Sequence, residues 1–235
     1  EGRRDQKSKV DDMEKATGWN HVPEGLLQDK ELRELYKPVD HTIRDWQHIG
    51  CQDGIGNTHI WHAVDTLHEK CDIGIELVQT FSQQCHYPSQ LGKLDRSAFA
   101  PGRLRNTKKT IASFSSTILT MVIVMHLFLH RFVEDTLPEH VAAFDKLYYI
   151  FGLLRTGPLG AMKHVDTLKA LIADWLKTCV TLYGEHVKPK GHHIFHVVDG
   201  MLWLGVLLSC FVTERKHRLI KAAALHVFRH IEHTV

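Results

Sequence analysis

The chain has 235 residues, of which 43% are hydrophobic and 24% are charged, and its formal net charge is +2 at pH 7. This size and composition fit a globular protein with one large or two small domains, and the near-neutral charge excludes a polyanion-binding surface spread over the whole chain. Five widely spaced cysteines without a CxxC pair argue against a disulfide framework and predict an intracellular, reducing compartment.

The N-terminal part of the chain shows little periodicity. Residues 1–20 are charged and are predicted to be a loop, 22–35 a turn followed by a short helix, and 39–46 a short strand. The glycine-punctuated stretch 50–57 is predicted to be a loop. Because the first residue is Glu1 rather than Met, we expect the chain to be a piece of a longer protein.

From residue 58 onward, apolar residues recur with the period of a helix. The predicted helices are 58–70, 74–84, 107–134, 138–154, 164–183, 192–203 and 210–233. An irregular basic connector is predicted over 88–106, and a loop over 184–191. The apolar runs 118–129 and 201–212 are too short to span a bilayer, so we expect buried core helices and no membrane partner. The predicted fold class is mainly α, with few strands.

Basic residues are concentrated in two segments. Residues 96–133 contain six Lys or Arg and no acid, and four of these cations lie close together in sequence: Arg103, Arg105, Lys108 and Lys109. Residues 186–230 contain seven Lys or Arg against two acids. Such blocks in a near-neutral chain indicate either a localised anionic partner or a solvated face.

The 19 histidines include pairs that are spaced four residues apart. These pairs are His126/His130, His192/His196 and His226/His230. Such a pair can bind zinc or another transition metal from one helix face, although no HExxH motif is present. Structural and phosphate-facing roles for the same histidines stay open.

Two short motifs contain the candidate catalytic residues. The first is Asp45-Trp46-Gln47-His48, an acid followed by an aromatic residue and a histidine. The second consists of Lys190, His192, His196, Phe211, Glu214, His217 and Lys221. Steps of three and four place Glu214, His217 and Lys221 on one helix face. An acid among cations suits metal-assisted phosphodiester chemistry, whereas a plain solvated helix would use Glu214 in an ion pair with Arg218.

Together these motifs resemble those of eukaryotic DDE/D transposases of the CACTA and Kyakuja-Dileera-Zisupton type, which have an RNase H-like core. In that family the second catalytic Asp begins a D-x-M-H motif, which Asp45 and His48 match, with Gln47 in place of Met. The final catalytic Glu follows a K-x-H-x-x-x-H segment and corresponds to Glu214. The two acids are 214 − 45 = 169 residues apart, an interval similar to the one the family creates with a helical insertion.

The resemblance implies three regions. Residues 1–57 would hold the second carboxylate within a partial RNase H-like core, 58–185 a helical insertion domain, and 186–235 the C-terminal core helices with the final Glu. The implied activity is DNA cleavage and strand transfer in the nucleus, with Mg²⁺ (or Mn²⁺) held by Asp45 and Glu214, and a homo-oligomer is compatible with it. With the basic connector included, the residues expected to contact DNA are His48, Arg103, Arg105, Lys108, Lys109, Lys190, His192, His196, His217, Arg218 and Lys221.

The first catalytic Asp of the family has no counterpart in this chain, because no acid before Asp45 stands in an apolar, strand-like run. We therefore expect the isolated chain to be inactive as an enzyme. Two alternatives remain: a decayed or domesticated transposase remnant that binds DNA or protein without catalysis, and a His-rich helical protein that holds a transition metal.

Overall fold

The computed structural model describes residues 29–35, 44–88, 91, 93–184 and 189–210, together with Lys9. The α-helices in these ranges are α1 (Lys30–Leu35), α2 (Trp46–Cys51), α3 (Ile55–Cys71), α4 (Ile75–Gln84), α5 (Ser115–Phe132), α6 (Pro138–Leu154), α7 (Pro158–Met162), α8 (Val165–Tyr183) and α9 (Pro189–Leu204). Strands β1 (Leu104–Arg105) and β2 (Thr110–Ile111) form an antiparallel two-stranded sheet. The prediction of a mainly α chain with few strands is confirmed.

The core lies where α5 and α6 pack together, with α3 and α8 against them. Among its fully buried side chains are Phe128 of α5 and Phe144, Leu147 and Ile150 of α6. Burial of each such side chain contributes roughly 1.5–3 kcal/mol. The apolar helix α5 is long enough, by length and composition, to cross a membrane, and 44% of it is buried inside the protein. Its packing against α3, α4 and α6 gives it the environment expected of the core helix predicted over this run.

Helix α2 begins at the residue where the strand predicted over 39–46 was expected to end. Residues 39–43 lie outside the described residues, but Trp46, the last residue of the predicted strand, begins α2. Asp45 is the N-cap of this helix, because its side chain accepts a hydrogen bond from the backbone N–H of His48. Of the described part of the predicted strand, Trp46 is therefore helical and Asp45 caps the helix.

The predicted loop over 50–57 is reduced to a three-residue bend between α2 and α3. Its glycines allow close packing: a Cβ on Gly54 would lie 2.1 Å from the carbonyl oxygen of Ile49, and one on Gly56 would lie 2.8 Å from Ile118 Cγ2. Asn57 replaces a conventional cap, since its Oδ1 accepts from the Gly54 N–H. The Gly54-Ile55-Gly56 segment is therefore buried between helices.

The helix predicted over 107–134 begins later, at Ser115. Lys109 has φ of 49°, and this left-handed residue closes a turn that returns β2 alongside β1. Leu104 pairs with Ile111 in this sheet, and Asn57 Nδ2 donates to the Ile111 carbonyl over 2.9 Å. Local pairing and this side-chain contact thus keep residues 107–114 out of the helix.

Several other boundaries agree closely with the sequence prediction. Helix α6 begins at Pro138, a residue suited to the first turn of a helix, and ends at Leu154. Helix α9 is an exception, because it begins at Pro189 rather than at the predicted residue 192. The loop expected over 184–191 is therefore shorter than predicted. The division into regions 1–57, 58–185 and 186–235 stays a prediction, and residue 57 lies in the first turn of α3.

Candidate metal centres and nucleic-acid contacts

Asp45 lies at a junction between distant parts of the chain. Its Oδ2 accepts from the backbone N–H of His48 at 3.0 Å and lies 2.6 Å from Nδ1 of the same residue. Its Oδ1 accepts from the backbone N–H of Cys210 at 2.8 Å, across 165 residues of sequence. The Asp45 side chain is 15% exposed. The carboxylate therefore joins the start of α2 to the chain segment that follows α9.

Asp45, His48 and Cys210 each offer one ligand atom, and the three atoms lie within 4.8 Å of one another. Three donors already contact the Asp45 oxygens, and a carboxylate accepts about four hydrogen bonds. Mg²⁺ prefers oxygen ligands, whereas imidazole and thiolate suit softer ions such as zinc. Among the described residues of this cluster, Asp45 alone supplies oxygen. The described donor set does not by itself fit Mg²⁺.

The predicted partners of Asp45 at the C-terminal end, Glu214, His217, Arg218 and Lys221, lie outside the described residues. The pair His226/His230 lies outside them as well. The predicted approach of Asp45 to Glu214 therefore stays a prediction. Cys210, the last described residue, precedes Glu214 by four positions and contacts Asp45.

Lys190, predicted to contact DNA, is half-buried between α9 and α2. Its Nζ donates to the carbonyl oxygen of His48 at 3.2 Å and to that of Gln52. These carbonyls lie in and just after α2, so the ammonium satisfies acceptors that the helix end leaves open. Burial lowers the pKa of Lys190. This geometry gives the lysine a structural contact that the sequence motif did not indicate.

The pair His192/His196 lies on one face of α9, as its spacing predicted. The two Nε2 atoms are 3.3 Å apart, and Nδ1 of His196 lies 3.5 Å from Asp199 Oδ2. The His196 side chain remains 37% exposed. Among the described residues, no third side chain places a ligand atom within 4.8 Å of one ligand atom from each of these two histidines.

The four cations of the basic connector have different environments around β1 and β2. Arg105 forms an ion pair with Asp53 at 3.2 Å, and Arg103 donates to Ser97 Oγ. The Nζ of Lys109 lies 5.7 Å from the ring centroid of Trp61, a cation–π distance. Lys108 is exposed in the turn.

A second cluster of metal-ligating side chains lies between α5 and α6. His126 Nδ1 and His130 Nε2 approach the same oxygen, Oδ1 of Asp145, at 2.9 and 2.8 Å. The sequence singled out the histidine pair but missed Asp145. The connection 133–137 between α5 and α6 is short, so the two helices form a hairpin. In a hairpin, residues at similar sequence distances before and after the turn lie close together. This rule could have pointed from the histidine pair to Asp145.

A buried group of polar rings was also missed. Trp175 donates to Nδ1 of His59 at 3.0 Å, and Tyr183 lies between His59 and His140. Burial, with smaller effects from His62 and His140, lowers the pKa of His59 to about 3. Tyr183 also stacks on the His62 ring at 4.4 Å. The adjoining cavity of ≈ 20 Å³ has room for about one water, so it is too small for a substrate.

All five cysteines lie in the described part of the chain, as thiols rather than disulfides. Burial raises the pKa of the Cys179 thiol to about 12, and burial with the nearby Asp45 charge raises that of Cys51. Neither thiol is thereby activated as a nucleophile.

In comparisons with known proteins, no family model, no curated protein and no solved structure matches the chain.

Proposed function

We propose that the chain is part of a DDE/D-type DNA transposase, with Asp45 and Glu214 as two of its metal-binding carboxylates. The observation that carries this proposal is the hydrogen bond from the backbone N–H of Cys210 to Asp45 Oδ1. It ties the D-x-x-H motif to the segment that leads, four residues on, into the motif of Glu214. Carboxylates that share metal ions must converge, and this contact supports their convergence.

In the proposed site Mg²⁺ would activate a water or 3′-hydroxyl and stabilise the leaving oxygen of a phosphodiester. The chain's own contribution is to orient Asp45. His48 contacts Oδ2 from its backbone N–H and from its ring, and Cys210 contacts Oδ1. These contacts hold the carboxylate in one orientation, which is the requirement for a metal ligand that must not rearrange during the reaction.

The proposed partner is DNA in the nucleus, and a homo-oligomer remains compatible with this role. The thiol state of all five cysteines suits a reducing compartment. Lys108 is the proposed phosphate contact of the connector, and His192 and His196 are partly accessible on α9. Lys190, Arg105 and Lys109 have intramolecular contacts that they would have to share with or exchange for phosphates.

Manganese binding by the purified chain tests the carboxylate pair. Mn²⁺ substitutes for Mg²⁺ and is visible by electron paramagnetic resonance. We expect Asp45→Asn and Glu214→Gln each to weaken Mn²⁺ binding by about tenfold or more. Asp199→Asn is the matched control, because Asp199 is an exposed acid on α9, and it should leave the affinity unchanged.

Equal Mn²⁺ affinity in the wild-type chain and in Glu214→Gln would overturn the shared site. Backbone cleavage by bound Fe²⁺ with ascorbate gives a second readout, in which fragments are expected from both sequence regions around 45 and 214. If the chain binds DNA but shows neither the loss of Mn²⁺ affinity nor the Fe²⁺ cleavage fragments, the non-catalytic remnant is favoured. The isolated chain is not expected to nick DNA, because two acids leave one metal ion under-ligated.

A further inference from the structure

The strongest unassigned feature of the protein is the cluster of His126, His130 and Asp145. Two imidazole nitrogens, from side chains one helical turn apart on α5, face one carboxylate oxygen on α6. The ligand atoms all lie within 4.8 Å of one another. Two histidines and one carboxylate are a donor set that binds zinc and related divalent transition ions.

One outer contact of the cluster is of a kind that often surrounds a metal ligand. The other ring nitrogen of His130, Nδ1, lies 3.1 Å from Glu134 Oε1. A carboxylate in this position accepts the Nδ1 proton of His130, and a metal ion can replace the proton shared between Nε2 and Asp145. An unprotonated nitrogen 2.8 Å from a carboxylate oxygen repels it unless a proton or a metal ion lies between them.

The ring of His126 is held in place by packing. It stacks on Tyr148 with ring centroids 4.0 Å apart and an interplanar angle of 1°. The charged neighbour Lys146 does not compete for Asp145, because its Nζ lies 2.7 Å from Asp174 on α8.

We propose that His126, His130 and Asp145 bind one zinc ion, with Glu134 orienting His130 and water at the remaining position. The side chains of His126, Asp145 and His130 are 17%, 26% and 33% exposed, which leaves a path for the ion and for that water. Zinc bonds of about 2.1 Å place tetrahedral ligand atoms roughly 3.4 Å apart, so the rings must separate from Asp145 by about 0.5 Å. The site joins α5 to α6 and does not depend on the proposed transposase function.

Titration of the metal-free 235-residue chain with Zn²⁺ in competition with a chromophoric chelator tests this site. We expect one high-affinity ion per chain, and a loss of about 100-fold or more in affinity for His126→Gln and for Asp145→Asn. Glu134→Gln should cost about tenfold, because Glu134 only orients a ligand. His196→Gln is the matched control, because it removes one member of the other described histidine pair. It should leave the Zn²⁺ affinity unchanged.

X-ray absorption of the wild-type chain with one equivalent of Zn²⁺ avoids any folding defect of the variants. Nitrogen and oxygen neighbours without sulfur are expected. Sulfur in the first coordination shell would assign the ion to Cys210 beside Asp45 and His48, and would overturn the proposal. Zinc affinity that falls equally in His196→Gln and His126→Gln would also overturn it, because binding would then be distributed over the histidines.

Discussion

Trp175 donates its indole N–H to Nδ1 of His59 over 3.0 Å, joining helices whose contacting residues are 116 positions apart. An indole N–H is a donor only, so Nδ1 of His59 must be the acceptor and its proton must reside on Nε2. Nε2 in turn lies 3.5 Å from the hydroxyl of Tyr183. Burial is the main cause that lowers the pKa of His59, and a protonated His59 would also lose the Trp175 hydrogen bond.

The first prediction is that His59 makes the protein sensitive to mild acid. Its pKa is about 3 in the fold against a usual 6.5, so below pH 6.5 the unfolded chain takes up a proton that the folded chain does not. The free energy of unfolding therefore falls as the pH drops from 6.5 toward 3. Between about pH 7.5 and about pH 5, we expect the free energy of unfolding to fall by about 2 kcal/mol less in His59→Gln than in the wild type.

Urea unfolding of the two proteins at several pH values measures the difference. Burial lowers the pKa of His126 and His140, while the Asp145 hydrogen bond raises that of His130, but both proteins contain these groups. Their contributions should largely cancel in the comparison. Parallel pH profiles for wild type and His59→Gln would contradict the prediction.

A second prediction concerns the close approach of α2 and α3. Gly54→Ala should destabilise the protein by about 3 kcal/mol, because the new Cβ would meet the Ile49 backbone, which cannot rotate away as a side chain can. Gly102→Ala is the control, since a Cβ there would have nothing within 4 Å. Thermal unfolding of both variants measures the difference. Equal melting temperatures for Gly54→Ala and Gly102→Ala would contradict the prediction and show that α2 and α3 can move apart at little cost.

The third prediction separates the structural role of Lys190 from a role in DNA binding. Lys190→Met keeps the aliphatic stem but removes the donor to the His48 and Gln52 carbonyls. We expect a loss of about 1–3 kcal/mol in the free energy of unfolding, measured in urea. Lys163→Met, at an exposed position, should change it by less than about 0.5 kcal/mol. Reduced DNA affinity without any loss of stability would instead make Lys190 a phosphate contact.

The fourth prediction addresses the exposed lysine of the connector. If Lys108 meets a phosphate, Lys108→Ala should reduce the slope of log affinity against log salt by about one unit, whatever the DNA sequence. Arg105→Ala should have a smaller effect, because that guanidinium already forms an ion pair with Asp53. The slope comes from fluorescence anisotropy titrations at several salt concentrations. An unchanged slope in Lys108→Ala would make this turn a solvated surface.

The sequence predicted those helices whose signals are local. Pro138 sets the start of α6, and the apolar face around Leu168 and Trp175 predicts α8, because these signals lie within the elements they define. The start of α5 was missed because it depends on the left-handed Lys109 and on the pairing of β2 with β1. Such pairing depends on the neighbouring segment and is not visible in the helical period.

The candidate sites divide in the same way. The spacing of His126 and His130 was visible on one helix, but Asp145 reaches them from another. Asp45 was singled out by its motif, yet its roles as a helix cap and as acceptor for Cys210 depend on tertiary packing. Gly54 and Gly56 predicted a loop in the sequence, whereas in the fold they permit tight contact between helices.

The contact between Asp45 and Cys210 also constrains the order of events during synthesis. During translation α2 leaves the ribosome long before the residues that complete its surroundings exist, since Lys190 and Cys210 come 142 and 165 positions after their partners His48 and Asp45. Until α9 and the segment after it have been translated, the carbonyls at the end of α2 therefore lack the Lys190 donor, and Asp45 Oδ1 lacks the Cys210 N–H. Among the described helices, α2, which carries the first motif, is thus completed only after Lys190 and Cys210 have been made.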